Sequence, residues 1–299
     1  MRYWLVMPAA GVGRRFGDTI PKQYADLHGR TVIEWSLAPF IYDSRCLGIV
    51  VVLGAEDGYW KSVADRLPDI TGASRAEATL AAALAEATRV AERIAAKSVQ
   101  EESGRSADTI PGSSGEPSHS HQPAAVTLPK VITTVGGLER SHSVRNGLAA
   151  LTRRAAPDDW VLVHDAARPC VSRQDVDRLL DKVHSHRAGG LLAAPAADTL
   201  KRADTAREVA ETVDRSGLWR ALTPQMFRYA PLCSALDAAL AQGRTPTDES
   251  QALEWMGEHP LVVEGSTTNI KITSADDLVI ALALLSAHGG RQDTEVNTK

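Results

Sequence analysis

The segment YWLVM at 3–7 is an unbroken apolar run that stops at Pro8. A strand with no polar alternation has to be covered on both faces, which places it at the centre of a parallel sheet. Runs of the same kind recur at 49–53 (IVVVL), 131–135 (VITTV), 160–163 (WVLV), 191–194 (LLAA) and 261–263 (LVV). Between them, residues 31–40, 141–151, 173–183 and 276–285 carry apolar side chains at three- and four-residue spacing, the period of a helix. Strands alternating with helices imply crossover connections, and so an α/β fold built on a doubly wound, mostly parallel sheet.

Residues 72–130 break this pattern. Setting those 59 aside from 299 leaves 240, a length that one α/β domain can reach, so residues 1–299 read as a single domain carrying a 72–130 insertion between two strands. Its first part, 74–98, is Ala-rich with Glu and Arg interspersed and predicts a helix. Its second part, 99–123, is rich in Ser, Gly, Pro and charge and predicts a mobile loop. His119 and His121 in that loop read as solvated side chains rather than metal ligands.

Charge and cysteine usage narrow the partners. Lys plus Arg number 33 against 37 Asp plus Glu, and a net charge of -4 offers no overall field for nucleic acid. A phosphate ligand must therefore be held locally. Cys46, Cys170 and Cys233 are an odd number, far apart and without a CxxC pair, which argues against a disulfide framework or a zinc knuckle. The apolar start of the chain ends within ten residues at Gly11, followed by Arg14 and Arg15, too short for a membrane span and wrongly flanked for a signal peptide. The expectation is a cytoplasmic protein with no membrane association.

The most informative stretch follows the first strand: Pro8, Ala9, Ala10, Gly11, Val12, Gly13, Arg14, Arg15, Phe16, Gly17, then Pro21, Lys22 and Gln23. Small residues in a strand-to-helix turn let backbone N–H groups approach a phosphate chain. The spacing is neither GxxxxGK[ST] nor GxGxxG, since Gly11, Gly13 and Gly17 give GxGxxxG. Arg15 and Lys22 add two cations, which suits a triphosphate whose charge rises during reaction better than a passive dinucleotide. Further along, VHDAARP places Asp165 just past a buried strand, where open sheets of this class put their ligands. A carboxylate there can hold Mg²⁺ or cap the next helix. His164 alternates away from it and reads as structural. Lys271, within the NIKIT segment read as a short strand, needs an anionic partner.

PAAGVGRRFG followed by PKQY resembles the signature loop of the nucleotidyltransferase superfamily, and specifically of the 2-C-methyl-D-erythritol 4-phosphate cytidylyltransferase family. Further matching blocks follow in order: GGLERSHSV at 136–144, VHDAARPC at 163–170, AAPAADTLKR at 193–202, TVDRSGLWRALTPQ at 212–225, TDESQALE at 247–254 and GSTTNIKITSADDL at 265–278. Together they span nearly the whole chain except the insertion.

The resemblance implies a nucleotide site formed by Pro8, Ala9, Ala10, Gly11, Gly13, Asp165 and Ala166, with Gly137, Arg140 and Ser143 reading the cytosine. Leu138 departs from the small polar or acidic residue often found there, which leaves backbone readout at that position. The acceptor would be held by Asp165, Arg168, Thr199, Arg215 and Thr247. The family's dimer implies an arm over 196–219, through which Arg215 would serve the neighbouring subunit's site. From the residues alone, Arg215 could equally form a surface salt bridge, and Thr247 could cap a helix with Ser250 exposed.

The implied reaction joins CTP to methylerythritol phosphate with Mg²⁺ or another divalent cation. Arg15, Lys22, Arg215 and Lys271 are the expected catalytic cations, and a homodimer is the expected assembly. The alternatives are the same chemistry on ribitol 5-phosphate, a nicotinamide-dependent oxidoreductase sharing sheet and loop, and a nucleotide-binding module without turnover. The GxGxxxG spacing speaks against the oxidoreductase, and the retained cations speak against the inert module.

Overall fold

The computed structural model describes residues 1–11, 20–67 and 129–294. The chain divides into two compact units, Met1–Val63 with Leu128–Lys299, and Ala64–Thr127. Gly13, Arg15, the helix expected over 74–98, the loop over 99–123 and both of its histidines lie outside the described residues.

In chain order the first unit begins with strand β1 (Tyr3–Pro8), a 3-10 turn at Lys22–Tyr24, a short hairpin of β2 (Asp26–Leu27) and β3 (Arg30–Thr31), helix α1 (Val32–Ile41) and β4 (Cys46–Leu53). A helix, α2, runs over 60–67. Then follow β5 (Lys130–Val135), α3 (Arg140–Ala149), β6 (Trp160–Val163), α4 (Arg173–Val183) and β7 (Gly190–Pro195). The remaining elements are β8 (Leu200–Ala203), β9 (Val209–Val213), β10 (Trp219–Arg228), α5 (Tyr229–Ala241), α6 (Glu249–Glu254), β11 (Leu261–Glu264) and α7 (Ala275–Thr294). Lys130, the last residue of the expected insertion, is thus the first of a sheet strand.

Seven strands form the main sheet in the order β11-β7-β10-β6-β1-β4-β5. β1 is an inner strand next to the central β6, and β6 and β4 run parallel to it on either side. The chain winds outward from β1 through β4 to β5 and then crosses back to β6, so the order reverses at β1. Crevices at such reversals, beyond the carboxyl ends of the strands, are where these sheets bind ligands. Burial follows position: Leu5, Val6 and Met7 of β1 and Val161, Leu162 and Val163 of β6 are fully buried. VITTV, although apolar in sequence, forms edge strand β5, with Lys130, Thr133 and Val135 exposed.

β10 departs from the expected pattern as the one antiparallel member, lying between β6 and β7. Thr223, Pro224 and Gln225 interrupt its apolar run at a shift of register between Ala221 and Gln225, where a proline removes no ladder bond. NIKIT differs as well: residues 270–273 are a loop, and Lys271 is carried on it.

Two packing features aim the loops. Helix α3 lies close on the sheet because residue 147 is glycine; a Cβ there would sit 2.6 Å from Val6 Cγ1 and 2.8 Å from Val52 Cγ2. The polar segment after β7 forms a separate two-stranded ribbon, β8 with β9, exposed along nearly its whole length. Among the described residues, no helix is long and apolar enough to cross a membrane.

Candidate active site

The carboxyl ends of β1, β5 and β6 deliver three loops to one cavity of about 200 Å³. The first continues from Pro8. Ala9 N–H donates to Val52 O at 2.8 Å, and the Gln23 amide donates to Ala9 O at 2.7 Å and Gly11 O at 3.1 Å, so the start of the glycine loop is tied to the turn that carries Lys22. Among the described residues, a Cβ on Gly11 would meet no atom within 4 Å. No contact among them therefore demands glycine there, whereas a ligand lying against the backbone would.

The second loop shows the opposite situation. A Cβ on Gly136 would lie 2.5 Å from Ala10 Cβ and 2.7 Å from Ser143 Oγ, so the first two loops touch because neither side chain intervenes. Gly137 N–H donates to Ser143 Oγ at 3.1 Å, and that hydroxyl donates to Glu139 O at 3.2 Å, closing the loop onto the first turn of α3. Leu138 is 99% exposed and borders both this cavity and a neighbouring one of about 570 Å³, which Ala9, Ala10 and Gly11 also line.

The third loop, after β6, holds the charges. Asp165 Oδ1 accepts from Arg140 Nε at 2.9 Å; its Oδ2 lies 2.9 Å from Lys271 Nζ and 3.5 Å from Arg168 Nε. Burial alone would raise this carboxyl, but Arg140, then Lys271 and Arg168, outweigh it and hold it well below the usual carboxylate range. Arg140 also forms a two-pronged pair with Glu249, Nη1 to Oε1 at 2.7 Å and Nη2 to Oε2 at 3.1 Å. Burial opposes its charge, yet Asp165 and Glu249 keep the guanidinium locked as a cation. For Glu249, burial pushes the carboxyl up and Arg140 works against that push.

Neutral polar groups set the frame. Thr223 Oγ1 accepts Asp165 N–H at 3.1 Å and bonds His164 Nδ1 at 2.9 Å, and His164 Nε2 meets Arg168 O at 3.2 Å. This network requires the tautomer with its proton on Nε2. Burial lowers the imidazole to about 4, in keeping with the structural role expected for it. Lys22 Nζ donates to Ile272 O at 2.8 Å, and Ile272 N–H donates to Ala167 O at 2.8 Å, which ties the Lys22 turn, the Lys271 loop and the Asp165 loop together. Arg168 Nη1 donates to Asn269 O at 2.8 Å.

Of the expected site residues, Pro8, Ala9, Ala10, Gly11, Lys22, Gly137, Arg140, Ser143, Asp165, Ala166 and Lys271 line the cavity. Arg168 joins them through Asp165. Three others stand apart from the cavity lining. Thr199 and Arg215 belong to the exposed segment around the ribbon, where Arg215 Nη1 bonds Ala197 O. Thr247 is exposed, and the cap of α6 is instead Asp248, which accepts from Gln251 N–H at 2.9 Å; a carboxylate at a helix start also meets the positive end of the dipole. Ser250, exposed on the helix-start alternative, is buried, with Gln225 Oε1 accepting its N–H at 2.9 Å. Gln23, Thr223, Glu249 and Asn269 went unnoticed in the sequence, because nothing separates a buried polar residue from a solvated one without its partners.

Among the described residues, no cluster of three or more His, Cys, Asp or Glu could hold a metal. Asp165 is a single hard, ionised oxygen donor at the cavity wall. That fits Mg²⁺, which commonly takes one or two carboxylates and fills its shell with phosphate oxygens and water.

A small-residue loop, a carboxylate held well below its usual range and the cations gathered on it, at the reversal of a doubly wound sheet, suit a nucleotidyltransferase. The family model described as IspD: 2-C-methyl-D-erythritol 4-phosphate cytidylyltransferase matches residues 3–94 and 69–287. The chain is 41% identical over 278 residues to the 2-C-methyl-D-erythritol 4-phosphate cytidylyltransferase of Pseudomonas aeruginosa (strain UCBPP-PA14), covering 93% of each. It is 36% identical over 287 residues to that of Vibrio vulnificus (strain YJ016), covering 96% of each. The crystal structure of the Francisella tularensis enzyme superimposes with a TM-score of 0.64 at 29% identity, over 95% of this chain and 100% of that one. The chain belongs to the IspD family.

Proposed function

We propose that this chain transfers the cytidylyl group of CTP to 2-C-methyl-D-erythritol 4-phosphate and releases pyrophosphate. The observation that carries this reading is the convergence of Arg140, Arg168 and Lys271 on Asp165, with Lys22 in the lining of the same cavity, which is built from family loops. An oxygen of the acceptor phosphate attacks the α-phosphorus of CTP. The bond from that phosphorus to the bridging oxygen breaks, and pyrophosphate departs with the electron pair. The attacking oxygen is already anionic near neutral pH, so no proton-abstracting base is needed.

The barrier is repulsion between two polyanions, and fixed cations lower it. Gly11 and Gly137 give the nucleotide close access to the backbone, and Arg140 and Ser143 hold the second loop in register beneath it. Lys22 stabilises charge growing on the α-phosphate, a role shared by Arg15 through the family resemblance. Arg168 and Lys271 take the acceptor's phosphate. Mg²⁺ held by Asp165 together with triphosphate oxygens would neutralise further charge when bound. A homodimer would complete each acceptor site with Arg215 of the neighbouring arm, beside Thr199 and Thr247 of the chain itself. The arm region exposes Val209, Leu218 and Trp219, apolar surface that a second subunit would cover.

A pyrophosphate-release assay with CTP, Mg²⁺ and a panel of sugar-alcohol phosphates tests the reading. The expected outcome is turnover with methylerythritol phosphate and not with ribitol 5-phosphate, and a fall on the order of 100-fold for Lys22→Ala in a folded chain. No turnover with the methylerythritol acceptor, or near-normal turnover of the variant, counts against it.

A further inference from the structure

The first turn of α6 carries a carboxylate that lies behind the cavity wall yet governs a residue in it. Glu249 is 1% exposed, and both of its oxygens are taken by Arg140 Nη1 and Nη2. Its own backbone position is fixed from both sides. Asp248 Oδ2 accepts from Gln225 Nε2 at 2.9 Å, and Ser250 N–H donates to Gln225 Oε1 at 2.9 Å, so one glutamine of β10 pins the residues before and after Glu249. At its other edge the Arg140 guanidinium donates Nε to Asp165.

A guanidinium has five N–H groups. These contacts use three, leaving one on each terminal nitrogen of a side chain that borders the cavity. If Glu249 released the end of the fork, the whole guanidinium plane could tilt, so that the Nη2 N–H on the Nε side joins Nε in the two-pronged pairing with Asp165 that Arg and carboxylate favour. Arg140 would then have satisfied itself on Asp165 rather than on a ligand.

We propose that Glu249 is a positioning residue for the nucleotide, holding the plane of Arg140 so that its two remaining N–H groups meet incoming CTP and its grip on Asp165 stays single. This rests on the reading of the cavity as the CTP site. Glu249 touches no substrate; it acts through Arg140. A merely structural role would lower stability and turnover together, whereas positioning weakens the nucleotide and spares the acceptor.

The test is Glu249→Gln and Glu249→Asp in the full chain, measured by CTP binding without acceptor, by KM for each substrate, and by thermal unfolding. For Glu249→Gln the expected result is a rise of about tenfold or more in the Kd and KM for CTP, with kcat and the acceptor KM within about threefold of the parent. Glu249→Asp, which keeps the charge on a shorter arm, should fall between the two. A folded Glu249→Gln that binds CTP like the parent, or one in which both KM values and kcat worsen together, overturns the proposal. Should Glu249→Gln not fold, Glu249→Asp decides alone: a selective rise in KM for CTP supports the proposal and an unchanged one overturns it. A parent chain that fails to bind CTP would sink the cavity reading first, and the role of Glu249 with it.

Discussion

His164 offers a quantitative test of how the site is held. It is fully buried beside the Phe40 ring, its Nδ1 on Thr223 and its Nε2 on Arg168 O, and its charged neighbours are Asp165 and Arg168. Burial, helped by Arg168 and opposed by Asp165, lowers the imidazole from 6.5 to about 4. Below pH 6.5 the unfolded chain binds a proton at this residue that the folded chain refuses, so stability falls with pH and goes on falling until the folded imidazole titrates. The full difference is roughly 3 kcal/mol, most of which should be lost between pH 7.5 and 4.5. His164→Asn puts an amide oxygen in the place of Nδ1 and cannot take up the proton. Urea unfolding followed by tryptophan fluorescence over that range should give a flatter stability profile for the variant by this amount, whatever its stability at pH 7.5. Parallel profiles for the two proteins would refute the argument, because the linkage depends on the proton and not on the packing.

The remaining expectations concern the loops and Lys271. Gly11→Ala adds a Cβ that meets no atom of the described residues, so the melting temperature should hold while the KM for CTP rises about tenfold; an unchanged KM would show that the ligand does not lie on this backbone. Gly136→Ala instead drives a Cβ into Ala10 and Ser143 and should lower both stability and CTP affinity, by differential scanning calorimetry and steady-state kinetics. Lys271→Ala removes a partly exposed cation from Asp165, and turnover should drop on the order of 100-fold with circular dichroism unaltered. Normal turnover would remove Lys271 from the catalytic set.

The sheet was legible because parallel strands show as short, mostly apolar runs, and all six such runs are strands of it, although β5 and β11 at its edges are partly exposed. β10 was not legible: Thr223 and Gln225 are buried for the bonds they make, to His164 and Asp165 in one case and to Asp248 and Ser250 in the other. Polar letters in a sequence read as surface unless their partners are known. The same reason hid Glu249, which looks like any acidic residue opening a helix. Lys271 shows the converse. Its need for an anion followed from its apolar neighbours, but the anion in the folded chain is Asp165, and distance along the sequence gave no hint of that pairing. Asp165 itself was legible as a ligand-bearing position because it follows a buried strand, although the three cations gathered on it were not.

Those three cations are not equivalent, and their differences suggest an order of events. Arg168 is the most buried, its side chain 10% exposed, and it is anchored a second time on Asn269 O. Arg140 is 25% exposed and anchored a second time on Glu249. Lys271 is 38% exposed and carries a compact ammonium on a flexible stem. A substrate phosphate entering the cavity competes with Asp165 for all three, and moving either guanidinium would break a second bond inside the protein. Lys271 turns with the least disruption. In the free protein Asp165 keeps the three cations gathered where an unpaired cluster would repel itself apart. Were an incoming phosphate to draw Lys271 away, one Asp165 oxygen would lose its shortest partner and would be the one free to hold a divalent cation.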